Sequence, residues 1–235
     1  MKQRLKSWDG PTEGVTIGAS YSDFWCRTKG SSFFLDNNGS KRPYKQGGWE
    51  GLRDVFILNG PPGIGKDTLA ALLVEAKPLT HLEFKTPLYK DTAAHFGVDL
   101  AAFTTAATSR LQKGNVLMQG LTPREMLIHV SEEIKKPLYG SDHYGKMACK
   151  PALKCGTNII FSDGGFADEV HVLEAYFHVV VIRLHRRGFD FTGDSRSYVE
   201  GVKHSADVVL LDGHPELGVE DILKVMRLKG LTYDR

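Results

Sequence analysis

A glycine-rich turn in the first third of the chain carries the residue types best suited to chemistry. The segment Gly60-Pro61-Pro62-Gly63-Ile64-Gly65-Lys66 follows the apolar run Val55–Leu58 and precedes a helical stretch. Glycines there let backbone N–H groups turn toward phosphate oxygens, and Lys66 adds a full positive charge. The turn therefore predicts a cradle for the phosphates of a nucleotide. The residues predicted to contact that nucleotide are Gly60, Pro61, Pro62, Gly63, Ile64, Gly65, Lys66, Asp67 and Thr68.

The residues that follow the lysine indicate how a phosphate is transferred. Asp67 stands where many phosphate loops have a hydroxyl residue, and the hydroxyl comes one position later, as Thr68. This delay resembles the spacing in adenylate kinase-like proteins and differs from that of ABC or AAA motors. We expect Lys66 and Asp67 to be catalytic, with Asp67 positioning Mg²⁺ or accepting a hydroxyl proton, and Thr68 to be a magnesium ligand. The alternative for Asp67 is an acid that complements the helix dipole.

An aspartate followed by two glycines ends a later apolar segment. Residues Thr157–Asp163 read as a strand, and open parallel sheets bind ligands at the carboxyl ends of their strands. Asp163 is therefore predicted to be catalytic, either as a base toward an acceptor hydroxyl or by holding a magnesium-bound water. Gly164 and Gly165 would let an acceptor approach the backbone closely. The alternative role for Asp163 is to cap the helix that follows the two glycines.

Basic residues elsewhere are predicted to meet the transferred phosphate or the acceptor. Arg186 and Arg196 lie in a glycine-containing segment after the penultimate strand, as expected for a lid that neutralises charge on the transferred phosphoryl group. Arg124, in the first turn of its helix, and Lys85, just after the second strand, are predicted to bind the acceptor. For each of these bases the competing interpretation is an ion pair or a solvated side chain.

Strand and helix signals alternate through most of the chain and predict the elements that position these residues. Short apolar runs bounded by turns are typical of buried parallel strands. Thr122-Pro123-Arg124-Glu125 is a strong helix start, because Thr122 can cap the helix and Glu125 can close a capping box. Residues 97–121 are predicted to be irregular, and Pro137 to end the helix. The alternation predicts an α/β fold, a parallel sheet with helices on both faces in a three-layer sandwich.

Composition excludes several classes of protein. Of the 235 residues, 41% are hydrophobic and 25% are charged, which is ordinary for a globular chain and unlike a disordered or collagenous one. No apolar run approaches the ~18 residues that a membrane span needs, and no apolar segment follows the basic start. Three cysteines are too few for a disulfide framework. We therefore expect a cytoplasmic protein with no membrane partner.

The first fifty residues differ in character from the rest. They are predicted to be a basic, aromatic, glycine-rich extension, residues 1–50, preceding a catalytic domain over residues 51–235. The extension has eight bases and five acids, and it contains all three tryptophans, Trp8, Trp25 and Trp49. Bases interleaved with aromatic residues suit a surface that binds phosphates and stacks on nucleobases. The alternative is an extension whose aromatic residues pack on the main domain.

From Val55 onward the chain resembles the phosphate-loop kinases of bacteriophages, which are relatives of thymidylate and deoxynucleoside monophosphate kinases. The residues that carry the resemblance are Asn59–Thr68, Leu121–Glu125 and the strand ending at Asp163. The resemblance implies a P-loop kinase fold, ATP as phosphate donor and Mg²⁺ as cofactor. It also implies that the protein acts in the cytoplasm of a host cell.

Two subfamilies differ in the acceptor that they imply. The deoxynucleoside monophosphate kinases of phages tend to have Asp-x-Arg-Phe after the fourth strand, whereas this chain has Asp163-Gly164-Gly165-Phe166. It thus lacks an arginine that would pair the charge of a free monophosphate. The kinases of 5-hydroxymethyluracil in DNA look more similar, both here and at Gly193–Tyr198.

We therefore favour phage DNA containing 5-hydroxymethyluracil as the substrate, phosphorylated on the hydroxymethyl group of the base. A free deoxynucleoside monophosphate is the alternative acceptor. A P-loop NTPase that is not a kinase, or a nucleotide-binding regulator, is a further alternative, although Asp67 argues against a motor.

Overall fold

The computed structural model describes residues 33–35, 41–43, 53–109, 116–117, 120–194 and 196–228. The chain divides into two units, Met1–Gly48 and Trp49–Arg235. In the first unit, strands β1 (Phe33–Leu35) and β2 (Lys41–Pro43) pair in antiparallel fashion. The three tryptophans and most of the bases of the predicted extension lie outside the described residues, so the role of the extension stays a prediction.

A five-stranded parallel sheet forms the centre of the second unit. Its strands are β3 (Asp54–Asn59), β4 (Leu79–Leu82), β5 (Asn158–Gly164), β6 (His178–Arg186) and β7 (Ser205–Leu210), in the order β4-β5-β3-β6-β7. Strand β3 is central, since Val55 is in register with Ile159 of β5 and with Val179 of β6. The carboxyl ends of the five parallel strands lie at the same end of the sheet. The chain leaves β3 at the middle of that end.

Helices cover both faces of the sheet. Helices α1 (Lys66–Ala76) and α8 (Pro215–Leu228) share one core with Phe56 and Leu58 of β3. Helices α6 (His143–Lys154) and α7 (Ala167–Glu174) share the other with Val55 and Ile57. All four β3 side chains are fully buried, as expected for a strand covered on both faces. The predicted three-layer α/β fold is confirmed.

The other helices form a small core of their own. They are α2 (Lys85–Phe96), α3 (Leu100–Thr108), α4 (Pro123–Ile128), a π-helical segment (His129–Lys135) and α5 (Lys136–Tyr139). Their buried side chains are Tyr89, Ala93, Phe96, Phe103, Met126 and Val130. Among the helices described here, none is long and apolar enough to cross a membrane.

Two predictions about this helical part need correction. Residues 97–121 are not irregular throughout, because α3 forms where Asp99 accepts a hydrogen bond from the backbone N–H of Ala102 and Phe103 is buried. Pro137 does not end the helical path, since the π-helical segment continues directly into α5, whose second residue is Pro137. The predicted capping box of α4 at Thr122 is confirmed.

Candidate active site

The turn between β3 and α1 has the backbone of a phosphate-binding loop. Gly63 and Gly65 adopt left-handed conformations, with φ of 77° and 112°, which favour glycine. A Cβ atom at Gly65 would meet no atom within 4 Å, so the space beside it is open. Helix α1 begins at the next residue, and no side chain caps its N-terminus. Its first N–H groups are therefore available to an anion, and the loop fits the phosphates of a nucleotide.

Lys66 folds back onto this loop. Its Nζ atom donates hydrogen bonds to the carbonyl oxygens of Gly60, at 2.6 Å, and Pro61, at 2.8 Å. Burial, together with the nearby Arg196, lowers the pKa of Lys66 to about 8, against the opposing effect of nearby aspartates. A phosphate that replaced the two carbonyls would favour the charged form, so the lysine is suited to bind an anion.

Asp67 lies at the mouth of the loop, where the sequence predicted it. Its side chain is 72% exposed, and the Lys85 Nζ atom lies 3.9 Å from its Oδ1 atom. The buried Ser162 of β5 donates a hydrogen bond to the same oxygen at 2.6 Å. Thr68, the predicted magnesium ligand, is exposed in the first turn of α1. The catalytic role of Asp67 and the metal role of Thr68 stay predictions.

Asp163 is fixed by the backbone of another helix. Its Oδ1 and Oδ2 atoms accept hydrogen bonds from the N–H groups of Phe84, at 2.9 Å, and Lys85, at 2.8 Å. The carboxylate thus caps the N-terminus of α2, rather than that of the helix after Gly164 and Gly165. Burial raises the pKa of Asp163, and Lys85 and the two N–H groups oppose this rise. Each oxygen keeps a lone pair, so the predicted catalytic and metal-binding role stays open to test.

Lys85 connects the two aspartates electrostatically. Its Nζ atom forms an ion pair with Glu83 at 2.9 Å. Burial, which lowers the pKa of Lys85, is outweighed by Asp163, Glu83 and Asp67, and the net pKa is raised. The side chain therefore stays charged, and its predicted contact with an acceptor stays a prediction.

Two of the predicted arginines meet on one buried carboxylate. Arg196 donates from its Nε and Nη2 atoms to the two oxygens of Asp194, at 2.9 and 2.8 Å. The Nη2 atom of Arg124 lies 3.4 Å from the same carboxylate, whose side chain is 2% exposed. The hydrogen bonds from Arg196 hold the pKa of Asp194 well below its usual range. Asp194, which the sequence did not single out, positions both arginines.

The two glycines after Asp163 are explained by packing. A Cβ atom at Gly165 would lie 2.5 Å from the Cδ atom of Arg196, and one at Gly164 would lie 2.1 Å from Cγ2 of Ile57. Protein side chains thus fill the space that the sequence assigned to an approaching acceptor. Contact between an acceptor and these two glycines stays a prediction.

Asn59 joins the phosphate loop to the arginines, a role that its sequence context did not reveal. Its Nδ2 atom donates to the carbonyl oxygens of Gly164, at 3.0 Å, and Ser197, at 3.3 Å. Its Oδ1 atom accepts from the N–H of Val199 at 2.9 Å. Asn59 is fully buried at the end of β3. The sequence signal for this role was a polar residue directly after the four apolar residues of the strand.

A cleft of about 570 Å³ opens beside Arg196. Aromatic rings form much of its wall, and its lining residues are Gly165, Phe166, Ala167, Phe191, Arg196, Ser197, Tyr198, Val199 and Glu200. The rings of Phe191 and Tyr198 meet edge to face at 5.0 Å. The cleft combines flat apolar surface with hydrogen-bonding groups.

Arg186 lies apart from this cluster. It forms an ion pair with Asp212 and stacks over the ring of Phe189 at 4.7 Å. Phe189 in turn lies beside Gly63 of the phosphate loop, since a Cβ atom added to Gly63 would lie 3.4 Å from the phenylalanine ring. Arg186 would have to exchange Asp212 for a phosphate to act in catalysis, so its catalytic role stays a prediction.

The structure thus brings most of the predicted site residues together. Lys66 interacts electrostatically with Asp67, Asp163 and Arg196, and Lys85 interacts with both of these aspartates. In the part of the chain that the structure describes, no group of three or more His, Cys, Asp and Glu side chains could hold a metal ion.

Comparisons with known proteins complete the description of the site. No protein-family model and no curated protein matches the chain. Solved structures similar to this chain include a sugar kinase from Janibacter sp. HTCC2649, with a TM-score of 0.38 and 15% identity over 75% of this chain and 95% of that one. A gluconokinase from Sinorhizobium meliloti 1021 has a TM-score of 0.37 and 10% identity, covering 76% and 98% of the two chains. Shikimate kinase from Acinetobacter baumannii, in complex with shikimate, has a TM-score of 0.30 and 13% identity, covering 79% and 83%.

Proposed function

We propose that the chain is an ATP-dependent phosphotransferase that phosphorylates the hydroxymethyl group of 5-hydroxymethyluracil in DNA. The observation that carries the reaction class is the uncapped N-terminus of α1, with Lys66 on the loop before it and Asp67 beside it. A phosphate loop flanked by a carboxylate and by arginine is the combination that phosphoryl transfer needs.

Each residue of the site has a distinct role in this proposal. The loop amides and Lys66 bind the β- and γ-phosphates of ATP, and Arg196 neutralises charge that develops on the transferred group. Asp67 orients the acceptor hydroxyl and takes its proton. Bound Mg²⁺ would supply further neutralisation of the phosphates, held by Thr68 and, through water, by Asp163.

Charge favours an acceptor within a polymer over a free monophosphate. A free deoxynucleoside monophosphate carries its own phosphate, which needs unpaired positive charge in the site. In this proposal Arg196 already serves the transferred group, Arg124 is partly neutralised by Asp194, and position 165 is a glycine instead of an arginine. A base taken out of a DNA duplex instead needs a stacking surface, and the cleft beside Arg196 offers Phe166 and Tyr198.

One observation favours the alternative, a deoxynucleoside monophosphate kinase. The Arg124 side chain is 48% exposed, and its contact with Asp194 is long, at 3.4 Å. An acceptor phosphate could therefore bind Arg124 without breaking a strong ion pair.

The experiment compares phosphate transfer from labelled ATP to three kinds of acceptor under identical conditions. The acceptors are duplex DNA containing 5-hydroxymethyluracil, a panel of deoxynucleoside monophosphates, and hydroxylated small molecules such as gluconate and shikimate. We expect transfer to the modified DNA only. Transfer to a free monophosphate, with none to DNA, would establish the alternative, and ATP hydrolysis without transfer would contradict both.

Salt dependence tests the proposed DNA contact of the extension. Replacing Lys41, Arg42 and Lys45 with Gln should weaken DNA binding and flatten the fall of log affinity with log salt, because fewer counterions are released. ATP affinity should be unchanged. Lys224→Gln, at an exposed position of α8, is the matched control and should leave both quantities as they are.

A further inference from the structure

A buried serine connects Asp67 to a histidine on the edge strand of the sheet. Ser162 of β5 is 1% exposed, and its Oγ atom donates to the Oδ1 atom of Asp67 at 2.6 Å. The same Oγ atom lies 2.9 Å from the Nε2 atom of His81 in β4. Three separate elements, α1, β4 and β5, therefore meet through one hydroxyl group.

Proton counting fixes the direction of these hydrogen bonds. A carboxylate has no proton to donate, so the single proton of the Ser162 hydroxyl goes to Asp67. The contact with His81 can then be a hydrogen bond only if the Nε2 atom of the histidine carries a proton and donates it. The geometry thus specifies a His81 ring with a proton on Nε2. The Nε2–H group donates to the Oγ atom of Ser162, and the Ser162 hydroxyl donates to Asp67.

We propose that Ser162 and His81 are positioning residues that hold the Asp67 carboxylate in one orientation for phosphoryl transfer. This inference rests on the proposed function, in which Asp67 orients the acceptor hydroxyl. The Asp67 side chain is largely exposed at a helix start, and Lys85, at 3.9 Å, is too distant to hold it by a hydrogen bond. The bond from Ser162 occupies Oδ1 and leaves Oδ2 to accept a proton from the acceptor.

The chain offers a matched control for removing the hydroxyl group. Thr157 precedes β5, and its Oγ1 atom lies 2.6 Å from that of Thr80 in β4. This pair bridges the same neighbouring strands as Ser162 and His81, and both hydroxyls are hydrogen-bonded to each other instead of to Asp67. Thr157→Ala therefore removes a hydroxyl between β4 and β5 without touching the carboxylate.

Kinetics of single and double variants test the positioning role. Ser162→Ala should lower kcat by roughly 10- to 100-fold, as expected for a misplaced catalytic group, with the KM for ATP within about twofold of the wild type. Thr157→Ala should leave both parameters unchanged. In an Asp67→Asn background, Ser162→Ala should cause little further loss, because the serine acts through the aspartate. Equal losses in both backgrounds would overturn the proposal, as would a Ser162→Ala enzyme as active as the control.

Variants of His81 provide a second test that does not alter the buried strand. His81→Gln keeps an N–H donor near the Nε2 position and should retain most of the kcat. His81→Leu removes the donor, and its decrease in log kcat should be about half of the decrease caused by Ser162→Ala. Equal activity of the two variants would contradict the role of the histidine.

A measurement on the resting protein separates this inference from the proposed function. Nitrogen-15 spectra of the His81 ring should show a protonated Nε2 atom in the wild type and a changed tautomer population in Ser162→Ala, with no change in Thr157→Ala. An unprotonated Nε2 atom in the wild type would overturn the inference whatever the enzyme does. If the wild type transfers phosphate to none of the acceptors, the proposed function fails while the spectra still report on this hydrogen bond.

Discussion

The phosphate loop and the stretch from the end of β6 to Arg196 hold their positive charges by different means. Lys66, the first residue of α1, is held by backbone carbonyls of the loop before it, and this loop follows a strand whose apolar side chains are fully buried. Arg196 and Arg186 are held by carboxylates, Asp194 and Asp212. Backbone carbonyls therefore hold the lysine, whereas acidic side chains hold the two arginines. We therefore expect substitution of the loop lysine to reduce phosphoryl transfer most, and substitutions on the arginine side to reduce it by smaller amounts that differ from one residue to the next.

Lys66→Ala should give the largest effect. Loss of one charge already positioned at the phosphates should lower the rate of transfer by roughly 10²–10³-fold, with the fold unchanged, because the lysine is not part of the apolar core. Single-turnover transfer and thermal unfolding measure the two quantities. Lys224→Ala in α8 is the control, and a Lys66→Ala enzyme with near-normal turnover would contradict the assignment of the loop.

Asp163→Asn should follow, with losses in both chemistry and stability. An asparagine NH₂ group would face a backbone N–H of Phe84 or Lys85, leaving a donor without an acceptor at a cost of roughly 1–3 kcal/mol. We expect transfer to fall about 100-fold while ATP affinity changes little, since the aspartate acts on the acceptor or metal. Calorimetric titration with ATP is the decisive measurement. A parallel loss of affinity and rate would make the residue purely structural.

Asp194→Asn should affect the arginine side of the site more mildly. Arg196 and Arg124 would lose their shared partner, and we expect roughly tenfold slower transfer, because the charges remain but are less well placed. Because the folded-state pKa of Asp194 is low, the ionised side chain contributes fully to the stability of the fold above its unfolded-state pKa. This contribution is lost as the pH falls through the folded-state pKa. Chemical denaturation from about pH 5 downward should therefore show a weaker acid dependence in the variant.

Glu169→Gln tests a buried carboxyl group of α7 that interacts electrostatically with both Asp163 and Arg196. Burial, and then Asp163, raise the pKa of Glu169 from 4.5 to about 8, against the effect of Lys136. Between these pH values the folded chain binds more protons than the unfolded chain, so stability falls as the pH rises. The variant should lose this fall and be more stable than the wild type at pH 8, by up to a few kcal/mol, since one pKa unit corresponds to about 1.4 kcal/mol. Identical pH profiles of the two proteins would contradict the raised pKa.

Arg186→Ala should have the smallest effect. Its partner Asp212 is 67% exposed, and such ion pairs contribute about 0–1 kcal/mol. We expect a loss of only a few-fold in transfer, because Arg186 is already paired away from Lys66. A loss of 100-fold or more would show that the arginine exchanges partners during the reaction, and the two regions would then act alike.

The sequence predicted the sheet and the loop because both depend on local signals. Val55–Leu58 is apolar without interruption, and the spacing from Gly60 to Lys66, between a strand signal and a helix signal, is typical of a phosphate loop. The capping box at Thr122 was equally local and is present. Helix α3 was missed because its alanines and threonines give no clear apolar period, and the burial of Phe103 that helps to stabilise it depends on helices distant in sequence.

The partners of the charged residues could not be predicted, since they depend on tertiary contacts. Asp163 caps a helix that begins 78 residues earlier, and Gly165 is small because Arg196 packs on it. Ser162 contacts Asp67 across 95 residues of sequence. None of these contacts leaves a pattern in the neighbouring residues. The sequence therefore nominates candidate catalytic groups, but it does not indicate which residues hold them in place.

The central place of β3 in the sheet also has a consequence for how the protein is made. Asp54 bonds to Asn158, 104 residues later, and Asn59 bonds to Val199, 140 residues later. During synthesis the phosphate loop emerges early, yet its strand stays unpaired until β5 and β6 have left the ribosome. Such long-range pairing slows folding and exposes apolar strands in the meantime. The loop between β3 and α1 thus precedes in the chain the strands on which its own strand depends, so it reaches its final environment only after they have been made.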